Sequence, residues 1–461
     1  MNLLVYGILL ANVWPQFRGP NATGISEDAA LPTEFGASKN LLWKVDLPLG
    51  KSSPVFAGDR IFLTGHDGDK LITLCVDRRT GREQWRHDIA RPRAERRHKL
   101  NDAAAPTPVT DGNNVYVFFA DFGLVAYSRV GKELWRVPLD AMPSMQGVAS
   151  SPLLHGNKLI LVVDQAQGSY MMAVNTRSGE TIWRHDRRPA PGGAYSTPIV
   201  FRASKGEEQL VTFSPFELAG FSLDKGEKVW WFGGLPPQPQ STPLAMDGVI
   251  YAFAKSFFGD AVPVIHPYSV VIEQADKNKD GRIQKDEAPE GPAKQFFGVV
   301  DRNKDGVVDE TEWVGMVEAA APKSVLLAIK PEGRGDLTQK AALWRFEKNI
   351  PNVPSPLLYR GVLYTVQNGG ILSALDPATG AIRKQGRLTG ALGDYYASPV
   401  ASGGHLYAAN QNGQVAVVKA GADWEVVSVN NLDDDFFATP AIVDGKLYVR
   451  TGRALWAFAG K

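Results

Sequence analysis

The densest chemistry in this 461-residue chain lies in two acidic stretches, Asp276-Lys-Asn-Lys-Asp-Gly-Arg-Ile-Gln-Lys-Asp-Glu287 and Asp301-Arg-Asn-Lys-Asp-Gly-Val-Val-Asp-Glu-Thr-Glu312. A calcium ion takes six to eight oxygens, and a twelve-residue loop can supply them from positions 1, 3, 5, 7 and 9 with a bidentate glutamate at 12. Glycine at 6 allows the sharp turn that wraps the ion. Both stretches fill every slot. The first offers Asp276, Asn278, Asp280, the Arg282 carbonyl, Gln284 (directly or through water) and Glu287. The second offers Asp301, Asn303, Asp305, the Val307 carbonyl, Asp309 and Glu312.

This is the EF-hand calcium pattern, met twice in tandem, with Ile283 and Val308 at position 8, where paired loops join. Residues 288–300 separate the loops, and Pro289, Gly291 and Pro292 spoil half of them for helix. One short helix over 293–300 is predicted, which suits a structural calcium pair better than the wide opening of a sensor. The second loop is expected to bind more tightly. Four of its ligands are carboxylates against three in the first, where Lys277, Lys279, Arg282 and Lys285 add an opposing positive field.

The elements that must carry these loops are read from a repeat. A Ser/Thr-Pro step followed by an apolar strand recurs at Ser53, Thr107, Ser151, Thr197, Thr242, Ser355, Ser398 and Thr439. Each copy continues as a hairpin, as in Ser355-Pro-Leu-Leu-Tyr-Arg-Gly-Val-Leu-Tyr-Thr365, then a third strand, a polar Gly turn and often a Trp four residues later (Trp85, Trp135, Trp183, Trp230). Lys384 stands where the sixth Trp belongs, and Trp424 is displaced by one position. A four-stranded unit of this kind is apolar on both faces, so it must stack, and radial closure removes the unpaired edges. An all-β, eight-bladed β-propeller of four-stranded antiparallel blades is predicted. The last repeat has only three strands, so residues 41–47 should supply its outermost strand and close the ring. The one long interval, between Thr242 and Ser355, places a small α-helical EF-hand pair in blade five, between its second and third strands. The division expected is 1–13 as a signal peptide, 14–258 and 323–461 as propeller, and 259–322 as the calcium insertion. In such a blade the loop after the second strand shares a face with the connections to the next blade, so the module and the long connections should share one rim.

The segments Cys75-Val-Asp-Arg-Arg-Thr-Gly-Arg-Glu-Gln-Trp85 and Ala374-Leu-Asp-Pro-Ala-Thr-Gly380 resemble the docking motif of pyrroloquinoline-quinone-like (PQQ-like) propeller repeats, and the likeness covers nearly the whole chain. Trp14-Pro-Gln-Phe-Arg-Gly-Pro20 resembles the start of a secreted bacterial branch of that family. The resemblance implies either a quinoprotein dehydrogenase or a non-catalytic propeller akin to the lipoprotein that assists outer-membrane barrel assembly. The adjacent cysteine pair of many such dehydrogenases has no counterpart, because Cys75 is the only cysteine, so bound PQQ is not expected. A binding or scaffolding protein of the periplasm or exterior is the expectation, monomeric, stabilised by calcium and holding a protein, peptide or glycan on its looped rim; the alternative is a quinone-dependent or sugar-active enzyme.

Lys plus Arg number 50 against 49 Asp plus Glu, which gives no global field towards nucleic acid or an anionic membrane. Residues 1–11 are apolar but too short to span a bilayer, and they fit a signal-peptide core. Cys75 reads as a buried strand thiol. Asp164 and Gln165 could contact a ligand but read better as a turn, the basic run Arg91, Arg93, Arg96, Arg97, His98 and Lys99 as a solvated loop, and Asp433 to Asp435 as a cation site or a charged turn.

Overall fold

The computed structural model describes residues 14–26, 31–190, 193–203, 206–256, 264–301, 303–347 and 349–460. Eight antiparallel sheets, one per repeat, form the propeller. Blade one shows why the sequence folds this way, running through Val55–Ala57, Arg60–Asp67, Lys70–Asp77 and Glu83–Ala90. The strand Lys70–Asp77 is buried on both faces, because a neighbouring blade covers each. Its outer partner Glu83–Ala90 is mostly exposed or half-exposed, as befits the rim of the disc. Strand Leu41–Asp46 pairs antiparallel with Ala454–Ala459 and completes blade eight, which closes the ring as predicted.

The Ser/Thr-Pro steps do more than start each blade. The backbone N–H of every one donates to the hydroxyl of the next: Ser53 to Thr107, Thr107 to Ser151, Ser151 to Thr197, and Thr197 to Thr242. The circuit continues from Thr242 to Ser355, Ser398, Thr439 and back to Ser53. These eight bonds measure between 2.9 and 3.2 Å. Each contributes about 1 kcal/mol net, and all lie at buried residues around the axis.

The tryptophans form an outer circuit. A Cβ on Gly81, Gly131, Gly179, Gly226 or Gly380 would lie within 3 Å of the indole of Trp43, Trp85, Trp135, Trp183 or Trp344 of the preceding blade, so glycine is required there. Trp43, Trp85, Trp135 and Trp344 also donate their indole N–H to the next blade's turn carbonyl, that of Arg78, Arg129, Thr176 and Pro377. Lys384 plays the same part by another route, with its ammonium donating to the Trp424 carbonyl at 2.7 Å and lying 4.9 Å from that ring. Trp230 departs from the pattern. It folds onto Gly220 of its own blade and donates to Gln209 at 2.7 Å, while Gly335–Asp336 adds as a fifth, parallel strand along that outer edge.

The insertion leaves blade five after Val249–Ala254 and returns at Val325–Ile329, between its second and third strands. It has its own small core of Val271, Ile283, Phe297, Val308, Trp313 and Met316. The single helix predicted over 293–300 is instead two short turns, Pro292–Gln295 and Phe297–Val300. Phe296, at φ −107 and ψ 22, leaves the helical region between them.

Candidate functional site

Two sites merit description: the central channel and the acidic loops. The channel is closed from one side by residues 14–26. The Phe56 and Thr110 amides donate to the Trp14 and Pro15 carbonyls, and Ala401 and Ser26 exchange backbone bonds with Gly24 and Ala401. Each of these inner-strand contacts lies three residues past a Ser/Thr-Pro step, away from the face that carries the blade-to-blade connections. Trp14 and Arg18 are fully buried, and Arg18, Asn21 and Ala22 adopt positive φ of 62, 52 and 55. Such backbone is strained by roughly 1–3 kcal/mol per residue and persists only where the surroundings hold it. The Arg18 guanidinium donates to the Pro356 carbonyl at 2.6 Å, and burial pulls its pKa down to about 9. This plug was not foreseen from the sequence, though its crowding of Trp, Phe, Arg and Gly was the available signal.

Above the plug stands a cup of about 360 Å3 lined by Phe17, all eight ring residues, Lys51, His98 and several amide side chains. A second chamber of about 590 Å3 adjoins it and shares Lys51, Asn101, Tyr396 and Phe437. The Lys51 ammonium donates to the Leu100 carbonyl at 2.6 Å and lies 3.8 Å over the Phe437 ring, which stacks on Tyr396. Burial lowers the Lys51 pKa, with Asp102 and Asp435 pulling the other way. His66 stands 4.0 Å from Asp102 and is likewise lowered, by burial first. Arg450 is buried beneath this chamber, donating to the Ser52 hydroxyl at 2.6 Å, and a Cβ on Gly50 would lie 2.3 Å from its guanidinium.

The acidic loops pair as expected, Ile283 opposite Val308 in a two-stranded bridge. Glu312 and Asp309 also form a reciprocal cap that starts helix Glu310–Ala320. In the first loop Asp276 accepts the Lys279 and Gly281 amides, and Glu287 accepts those of Lys277, Asn278 and Gln284. In the second, Asp301 accepts from Gly306 and Glu312 from Asn303. Among the described residues no group of three or more His, Cys, Asp or Glu side chains is gathered as a metal cage. Two oxygens nevertheless fit a cation. Oδ1 of Asp301 and Oε1 of Gln284, at positions 1 and 9, are buried with no hydrogen-bond donor among the described residues. A buried acceptor left so is costly unless an ion or water meets it. Pairing of the loops also sets the Arg282 guanidinium 3.7 Å from Asp305 of the second.

The lesser candidates resolve as structure. Arg91 and Arg97 both bind the fully buried Asp121 at 2.6 Å, and Arg93 binds Glu95, so half of the basic run is consumed internally rather than solvated. Asp164 is buried against Arg187 at 2.8 Å, and Gln165 closes a turn with Ser169. Asp434 accepts the Arg453 and Asp435 amides, a charged turn. Cys75 is buried. Residues 1–13, where the signal peptide is expected, lie outside the described residues. No helix among the described residues is long and apolar enough to cross a membrane.

The family model described as outer membrane protein assembly factor BamB matches residues 68–246 and 334–458, and an EF-hand model matches 270–287 and 293–317. No curated protein matches the chain. Among solved structures, BamB from Moraxella catarrhalis is similar with a TM-score of 0.56 at 12% identity, over 94% of this chain and 98% of that one. Quinohemoprotein alcohol dehydrogenase from Comamonas testosteroni is similar with a TM-score of 0.62 at 13% identity, over 99% and 82%. A europium-containing methanol dehydrogenase gives 0.62 at 8% identity, over 98% of each chain. At such identities these likenesses carry the fold alone. With the family model matched over more than half its length, the chain belongs to the PQQ-like propeller family of the outer membrane assembly factor BamB.

Proposed function

We propose that this protein is a non-catalytic binding propeller of the bacterial cell envelope, monomeric, which holds a protein, peptide or glycan on its looped rim and is locally stabilised by two calcium ions. The observation that carries the reading is the ion pair between Arg188, in the connection from blade three to blade four, and Glu318 of the inserted module. It draws the module onto the same rim as the long connections and the mouth of the channel, where loop-borne binding is expected. Calcium in the first loop would be held by Asp276, Asn278, Asp280, Gln284, Glu287 and the Arg282 carbonyl; in the second by Asp301, Asn303, Asp305, Asp309, Glu312 and the Val307 carbonyl. The ion would supply charge neutralisation and rigidity rather than chemistry. The orphaned oxygens of Asp301 and Gln284 support that assignment.

The competing reading is a quinone-dependent dehydrogenase, favoured only by the likeness of fold to the quinoprotein enzymes. Incubating purified protein with PQQ and calcium, then measuring bound chromophore and dye-linked alcohol oxidation, separates the two. The binding reading expects neither signal, and turnover would overturn it. Calorimetric calcium titration should give two binding steps, with Glu312→Gln removing the tighter and Glu287→Gln the weaker.

A further inference from the structure

The eight ring hydroxyls have a proton each still to place. A Ser or Thr hydroxyl carries one donor as well as its acceptor lone pairs. Each here accepts a backbone N–H, yet none donates to an acceptor among the described residues. All eight residues are between 2% and 7% exposed, and all eight line the same cup. The rest of the lining supplies the Lys51 ammonium, His98 and the amides of Asn101, Gln146, Gln240 and Asn352, and it includes no Asp or Glu. The cup therefore offers eight hydroxyl protons beside one fixed cation, with no carboxylate in its own lining, while Asp102 and Asp435 act on Lys51 from the adjoining chamber.

Water or a neutral sugar can accept from these hydroxyls, but neither carries a charge to set against Lys51. An oxyanion accepts on all its oxygens and donates on none, and its charge strengthens every hydrogen bond it takes. We propose that the central channel is a binding site for an oxyanion, the carboxylate of a sugar acid or an inorganic sulfate, bound by the Ser/Thr hydroxyl ring with Lys51 as its counter-ion. At roughly 30 Å3 per water, the 360 Å3 cup has room for a monosaccharide-sized ligand. The assignment rests on the channel lining and is independent of the reading of the rim and of calcium.

Calorimetric titration of the full chain with glucuronate, glucose and sulfate tests it. Glucuronate or sulfate should bind while glucose binds at least tenfold more weakly. A preference for glucuronate identifies the organic source and a preference for sulfate the inorganic one. Lys51→Met should weaken the bound anion about tenfold. Thr242→Val removes one ring hydroxyl at nearly constant shape and should weaken it further. Should that variant fail to fold, crystals soaked in selenate keep the question open to decision, since the anomalous peak must lie inside the ring. Equal binding of glucose and glucuronate, no binding of either anion, or a selenate peak elsewhere would overturn the proposal.

Discussion

The hydroxyl ring and the acidic loops are both circles of oxygen built by repetition, but they are assembled on opposite scales. Each loop draws its candidate ligands from twelve consecutive residues, while seven of the eight ring bonds join residues 41 to 113 positions apart and the eighth, from Thr439 back to Ser53, spans 386. The 113-residue bond spans the entire insertion, yet at 3.0 Å it matches its seven counterparts. The module leaves no mark on the ring. Local closure costs little loop entropy and can be undone alone, whereas every ring member is held by two neighbours and shares the fate of the whole disc.

The comparison breaks most visibly at a tryptophan. Trp135→Ala should destabilise the propeller by about 3–5 kcal/mol, since the side chain covers Gly179 and binds the Thr176 carbonyl. Trp313→Ala, in the core of the insertion, should loosen the module and leave the main calorimetric transition in place. A shared fall in Tm for both would end the distinction. Thr107→Val is the next smaller effect. It leaves the buried Ser53 N–H without its acceptor, for about 1–3 kcal/mol of global stability in denaturant titration.

Chelation of calcium should shift the propeller transition by less than either variant and accelerate amide exchange chiefly within 268–320. Uniform exchange across the blades would show that the module does support the ring. Cys75 reports on the ring alone. Burial pushes its thiol up to about 12, so a thiol reagent should react slowly with or without chelator and faster in Thr107→Val.

The smallest expected effect is in acid. The Arg383 guanidinium and the Thr379 amide hold the Asp376 carboxylate at about 2, below its ordinary range near 4. A depressed folded pKa gives stability that is present above the unfolded value and lost as pH falls towards 2. Carboxyl-carbon NMR should show Asp376 still ionised at pH 3, and Arg383→Met should raise its midpoint.

The blade count, the closing strand and the place of the insertion were legible because period-two apolar strands and Ser/Thr-Pro steps repeat at near-constant spacing. The EF-hand pattern was legible because its ligands are local. What stayed hidden was contact across the axis. Nothing in Arg18 announces that it lies under Pro356, and nothing in Arg91 or Arg97 announces Asp121. Arg282 was read against its own loop because sequence distance was the only distance available, whereas pairing of the two loops sets it beside Asp305. Trp230 fits the repeat by position and departs from it in space, because Gly220 opens a niche in its own blade.

The plug carries a consequence for how the chain reaches this state. Arg18 meets Pro356, 338 residues downstream, and the Ser52 carbonyl meets Arg450, 398 residues downstream. During synthesis the first fifty or so residues emerge with no partner for either, and strand Leu41–Asp46 stays an open edge until Ala454–Ala459 has been made. Long-range closure of this kind is slow and leaves edges exposed to mispairing meanwhile. The amino-terminal segment is the first part of the propeller to be made and among the last to be seated.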